Sequence, residues 1–182
     1  NMKVARHREK LAEWHKKKRQ YDNYVQEAHS AEATALYRAK KLLEVLSLTV
    51  PPDGRNGTAR RGRSERKFEF HLKKCFGNNI HTGVTMNIQN YEYPYSADFS
   101  YINTRYNLHI DIEIDEPYTR DGKPIHFVGC DADRNRFFIQ KLWLVIRFSE
   151  SQAVKYPGEC CKTIAETIAY VLDDDSYLEH FR

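Results

Sequence analysis

From Leu108 to Ile114 apolar and polar residues alternate without a break. Leu108, Ile110, Ile112 and Ile114 fall on one side, His109, Asp111, Glu113 and Asp115 on the other. A period of two predicts a strand whose isoleucine side faces a core. The opposite side then carries a carboxylate at each of positions 111, 113 and 115. Strands are depleted in Asp, and like charges close together on one face are destabilising. A divalent cation would offset that repulsion, and a solvated acidic face is the alternative.

Upstream, Ala97-Asp98-Phe-Ser-Tyr-Ile102 reads as a second strand, followed by a polar turn through Asn103-Thr-Arg-Tyr-Asn107. A hairpin turning between Arg105 and Tyr106 sets position 98 opposite position 113. Directly opposed side chains on one face have Cβ atoms about 5 Å apart. Two carboxylates so placed can share Mg²⁺ or Mn²⁺, which take hard oxygen ligands. A register slip of one residue would break the opposition.

The basic residues lie elsewhere. The net charge of the 182-residue chain is only +4, yet residues 1–20 carry eight Lys or Arg against two Glu. A further basic run extends from Arg55 to Lys67. A basic chain with one acidic pocket suits a polyanion held near bound metal, and solubility is the plainer use of the same charge. Cys75, Cys130, Cys160 and Cys161 show no CxxC spacing. Reduced thiols in a cytoplasmic protein are the expectation. His71 and Cys75 sit one helical turn apart, but no second pair follows, so a helix face is expected there rather than zinc. No apolar run approaches a membrane span, and no signal-peptide pattern is expected at the N-terminus.

Residues 3–47 lack Gly and Pro and are rich in Ala, Glu, Lys and Leu, which predicts one long helix. Its heptad-like stripe, from Val4 and Leu11 through Trp14 and Tyr21 to Leu46, is interrupted by Lys18 and Glu32. Nucleic acid, a second helix or the chain's own domain could each be its partner. The expected division is a long basic helical arm over 1–50, a flexible basic linker over 51–63 and one domain over 64–182. Within that domain Ser64 caps a helix running to about Cys75, and Ile80 to Ile88 form a strand. Then come the two acidic strands, a helix from Asp131 or Asp133 to about Lys141, and the apolar run Leu142–Phe148. That run suits a central strand in parallel pairing, covered on both faces. A helix over Cys160–Leu172 closes the order, which describes an α/β sandwich.

These pieces together resemble the PD-(D/E)XK nuclease superfamily, the restriction-endonuclease-like fold, in the branch of the very-short-patch repair endonucleases. The resemblance covers about residues 64–172. It rests on Glu65 with Phe68 and Leu72, on Tyr95-Ser-Ala-Asp98-Phe, and on Ile112-Glu113-Ile-Asp115. It continues with His126, Asp131 with Arg134-Asn135, and Val145-Ile-Arg-Phe148. It implies a three-layer sandwich about a central mixed sheet of four or five strands. It also implies that Asp98 and Glu113 bind the metal, with the Ile114 carbonyl as a further ligand, and that Glu65 reaches the same site. The usual lysine, two residues after the glutamate, is Asp115 here, which leaves the water-activating group open. Lys123, Lys141 and His126 are candidates for a migrated cation. Gln152 and Tyr156 match a QxxxY motif of RecB-like nucleases weakly.

Phosphodiester hydrolysis needs a positioned water, charge stabilisation and help for the leaving oxygen, all of which one or two Mg²⁺ ions can supply. Asp115 can hold a second metal or orient water, and His126 can contact phosphate or carry a proton. Asp111 lies further from position 98. Arg134 can clamp phosphate or pair with Asp131 or Glu113. Arg60, Arg61, Arg63, Lys67 and Gln152 are the further candidates for nucleic-acid contact. The expected activity is metal-dependent cleavage of DNA, with RNA open as a substrate. The alternative is a nucleic-acid-binding or assembly domain that has lost the reaction. A partner protein or self-association through the N-terminal helix stays open.

Overall fold

The computed structural model describes residues 2–54, 62–116 and 130–181. Two compact units divide the chain, Asn1–Leu43 and Glu44–Arg182. The expected single long helix is two, α1 (Met2–Ala28) and α2 (Ala31–Ser47). The break falls at His29-Ser30, where the Ser30 hydroxyl accepts from the Ala33 N–H at 3.1 Å. A serine offers a cap that competes with continuing the helix, which a Gly/Pro scan does not detect.

The second unit follows as α3 (Arg63–Phe76), a 3₁₀ turn at Gly77–Asn79, β1 (Ile80–His81), β2 (Thr85–Met86), β3 (Tyr95–Ser96), β4 (Phe99–Asn103) and β5 (Leu108–Asp115). After these come α4 (Cys130–Gln140), β6 (Leu144–Ser149), α5 (Glu150–Lys155), α6 (Pro157–Leu172) and a 3₁₀ segment, Asp175–Phe181. The main sheet is mixed and has four described strands in the order β1-β4-β5-β6; the first pairs are antiparallel, and β5 and β6 are parallel. A second ribbon pairs β2 with β3. The chain is therefore an α/β protein with a mixed four-stranded sheet and flanking helices.

Three expectations need correction. Ser64 lies inside α3; Gly62 is the N-cap, its N–H donating to Glu65 Oε1 at 3.1 Å. The Ser64 hydroxyl instead donates to Glu116 Oε1 at 3.2 Å. The single strand Ile80–Ile88 is interrupted at Gly83, whose φ of 67° sends β1 and β2 into different sheets. Finally, β6 is the outer strand of the described sheet and is half-buried, while β5 is covered on both faces. The apolar run also reaches beyond the strand to Trp143, which is buried at its entry.

The register is the one the hairpin turn requires. Phe99 pairs with Ile112 and Asn103 with Leu108, so the turn centres between Arg105 and Tyr106. Asn103 Oδ1 accepts from the N–H groups of Arg105 and Tyr106 at 3.1 and 3.3 Å, closing the turn locally. Asn107, at φ 54°, donates to the carbonyls of Leu46 and Thr49 at 2.7 and 3.0 Å, tying the hairpin to the end of α2. On one sheet face Phe68 of α3 packs edge-on against Phe99 and Phe148, with ring centroids 6.0 and 6.1 Å apart. On the other, Val84, Met86, Ile102, Phe138 and Trp143 form a second cluster. The sheet lies between these two apolar layers.

Candidate functional site

The β4–β5 ladder ends at Phe99–Ile112, and one step beyond it the side chains take over from the main chain. The Ile114 N–H donates to Asp98 Oδ2 at 2.8 Å, and the Asp98 N–H donates to Glu113 Oε1 at 3.1 Å. Positions 98 and 113 thus face each other as the register demands, each carboxylate held by the backbone of the opposite segment. Glu65, in the first turn of α3, is close enough for its charge to act on Asp98. Sequence-distant carboxylates are brought to one end of the hairpin.

The acidic side of β5 is not a solvated face. Asp111 is fully buried and His109 nearly so, since α4 and Trp143 lie over this side. Within the described residues the repulsion is met by arginines. Arg134 of α4 donates from Nη1 to Asp111 Oδ2 at 2.7 Å and from Nη2 to Asp111 Oδ1 at 3.1 Å. Its Nη2 also reaches Glu113 Oε1 at 2.6 Å and the Ser96 carbonyl at 3.1 Å. Arg147 of β6 forms an ion pair with Asp115, stands 3.2 Å from Asp131 and donates to Asn135 Oδ1 at 3.1 Å. Asp131 therefore pairs with Arg147, and Arg134 bridges Asp111 and Glu113. The arginines lie in α4 and β6, so periodicity within β5 gave no sign of them.

Burial dominates the electrostatics of these carboxylates, and the arginines offset it only in part. Burial, aided by the negative charge of Glu65 and Asp111, pushes Asp98 up to about 6 against the pull of the Ile114 N–H and Arg134. Burial and the charges of Asp111 and Asp98 push Glu113 up to about 9 despite Arg134. Burial also raises Asp111, which Arg134 opposes. Each shift has the sign that an added cation would reverse.

Among the described residues no group of three His, Cys, Asp or Glu side chains is placed to hold a metal ion. What is present is a facing pair of hard-oxygen carboxylates. Mg²⁺ commonly takes one or two carboxylates from a protein and keeps several waters, so Asp98 and Glu113 fit it as a donor set.

The other candidates separate. Arg63 and Lys67 are exposed on the first turns of α3. Gln152 is engaged in a capping box at α5, its Oε1 accepting from the Ser149 N–H at 2.9 Å while the Gln152 N–H donates to Ser149 Oγ at 3.3 Å. Arg134 is too enclosed to lie on an open phosphate surface, with a side-chain exposure of 11%. Lys141 stands over the Phe137 ring at 5.6 Å. Arg60, Arg61, Lys123 and His126 lie outside the described residues. A cleft of about 340 Å³ beside Asp115 is lined by Ser149, Glu150, Ser151, Val154 and Lys155. It borders the site on the side of the helix α5, which periodicity alone did not reveal.

Compared with protein-family models, curated proteins and solved structures, the chain has no match to any of the three. No helix among the described residues is long and apolar enough to cross a membrane.

Proposed function

We propose that the chain is a metal-dependent nuclease of the PD-(D/E)XK type, hydrolysing DNA phosphodiester bonds. The observation that carries this reading is the apposition of Asp98 and Glu113 across the end of the β4–β5 hairpin, with both carboxylates raised by burial and by neighbouring negative charge. In this reading Asp98 and Glu113 hold Mg²⁺ or Mn²⁺, with the Ile114 carbonyl as a further ligand and Glu65 close to the same centre. The bound ion supplies charge stabilisation at phosphorus and a water of lowered pKa. Asp115, paired with Arg147, stands where the resemblance leads one to expect a lysine, so its carboxylate is held in place instead of serving as a mobile base. Arg63 and Lys67 place exposed positive charge at the start of α3, the helix that carries Glu65. The exposed basic helix α1 offers a second polyanion contact, whose binding falls as salt rises.

A second reading has its own observation. Arg134 and Arg147 neutralise Glu113, Asp111 and Asp115 without metal, as a nucleic-acid-binding domain that has lost the reaction would require. One set of assays separates the two. Purified protein is incubated with single-stranded DNA, duplex DNA and RNA in Mg²⁺ or Mn²⁺. Nicking that Asp98→Ala and Glu113→Ala both abolish supports the nuclease, and the substrate cut distinguishes DNA from RNA. Binding without cleavage in either metal gives the second reading. Calorimetry showing no uptake of millimolar Mn²⁺ removes the metal site itself.

A further inference from the structure

Arg134 and the Asp98 main chain converge on one oxygen. Glu113 Oε1 accepts from Arg134 Nη2 at 2.6 Å and from the Asp98 N–H at 3.1 Å. The rest of the guanidinium is committed as well. It is bidentate to Asp111, donates to the Ser96 carbonyl and lies 4.7 Å over the Phe138 ring. A planar fork held by these three other groups cannot follow Glu113 if that side chain rotates. Asp111, with no exposure at all, has its two oxygens on the same guanidinium and so anchors it from the strand that carries Glu113.

We infer that Arg134 is a positioning residue for Glu113: it fixes the rotation of the Glu113 carboxylate, and hence which way both its oxygens face, before a cation arrives. Asp111 is the base on which Arg134 is mounted. This assignment rests on the reading of Asp98 and Glu113 as metal ligands. It differs from a plain structural ion pair, in which Arg134 serves only to compensate Asp111, and from competition, in which its charge keeps a cation away from Glu113. Carboxylates and imidazoles that bind metals are commonly oriented by such outer partners, and removing one weakens metal affinity by about ten- to a hundredfold.

The experiment compares Mn²⁺ binding, by calorimetry with the metal alone, in the wild type, in Asp111→Leu/Arg134→Met and in Arg134→Lys. The double variant replaces a buried ion pair with apolar side chains, a change proteins often accept without losing their fold. Circular dichroism and a thermal melt confirm the fold of each variant. The expected result is a native-like fold in the double variant with Mn²⁺ affinity down about tenfold or more. Arg134→Lys, which keeps the charge and loses the fork, gives a smaller loss. Wild-type or tighter Mn²⁺ binding in the folded double variant overturns the assignment and leaves the metal site standing. Should the double variant not fold, wild-type affinity in Arg134→Lys overturns it equally. A wild-type protein that takes up no Mn²⁺ overturns the metal reading and this assignment together.

Discussion

Replacing Arg134 alone with Met puts the buried acidic cluster under its most direct test. Asp111 has no solvent exposure, and the Arg134 guanidinium donates to both of its carboxylate oxygens, at 2.7 and 3.1 Å. Methionine keeps the stem and removes every donor. Breaking a buried ion pair by removing one partner costs about 3–5 kcal/mol, because the remaining charge has no water and has lost its main compensating charge. For a unit of this size that lowers the melting temperature by roughly 10–20 °C. The sign of the pH dependence follows. Burial already raises Asp111 above its ordinary 3.8, and the Arg134 charge is what chiefly opposes that rise. Without Arg134 the folded-state value climbs further, so the folded variant takes up a proton that the unfolded chain releases. The variant's deficit relative to the wild type therefore grows as pH rises and shrinks toward about pH 4, where Asp111 is protonated at little cost in either protein. Urea titrations followed by circular dichroism at several pH values measure both quantities, provided the m-value is unchanged. A loss below about 1 kcal/mol, or a deficit that does not vary with pH, refutes the assignment of Arg134 as the compensating charge.

The metal site makes a prediction in protons. With Glu113 at about 9 and Asp98 at about 6, Mn²⁺ binding near neutral pH displaces about one proton, and affinity climbs as pH rises between those two values. Calorimetry in two buffers of different ionisation enthalpy counts the proton; equal heats in both and a flat affinity profile count against the site. Phe68, fully buried between Phe99 and Phe148, should cost about 3–5 kcal/mol when cut to Ala, read as a shift in the urea midpoint. Asn107→Ala loses both a residue suited to φ 54° and two hydrogen bonds to the end of α2, for about 2–3 kcal/mol. Asn107→Gly should recover only the backbone part, about 1 kcal/mol, and equal stability of the two variants would show that the hydrogen bonds alone matter.

Local rules were enough for part of this protein. Strict alternation from Leu108 to Ile114 fixed a strand and its two faces, because side chains on a strand have no other period. The polar turn set the hairpin register through Asn103 and Asn107, and the register alone puts Asp98 opposite Glu113. The α4 boundaries were legible in Asp131, Asp133 and Lys141, as end signals lie within a turn or two of the residues they control. Short elements were not legible. Ser30 splits the long helix, Gly83 divides the strand before the hairpin, and α5 occupies six residues, too few for a helical period to register.

What balances the acidic strand was decided by the tertiary structure. Alternation shows that Asp111, Glu113 and Asp115 share a face, but not what covers it. The covering groups come from Arg134 in α4 and Arg147 in β6, brought in by the parallel pairing of β5 with β6 and the packing of α4 on that strand. Ion pairing between residues about twenty or thirty positions apart leaves no periodic trace, since its geometry exists only once the chain has closed on itself. The sequence by itself determined that carboxylates would crowd one face of β5 and that Asp98 would meet Glu113. Only the folded chain decided that Asp111 would be buried under Arg134 and that Asp115 would be held by Arg147. Burial and charge compensation depend on what lies across the sheet, and not on what comes next along the chain.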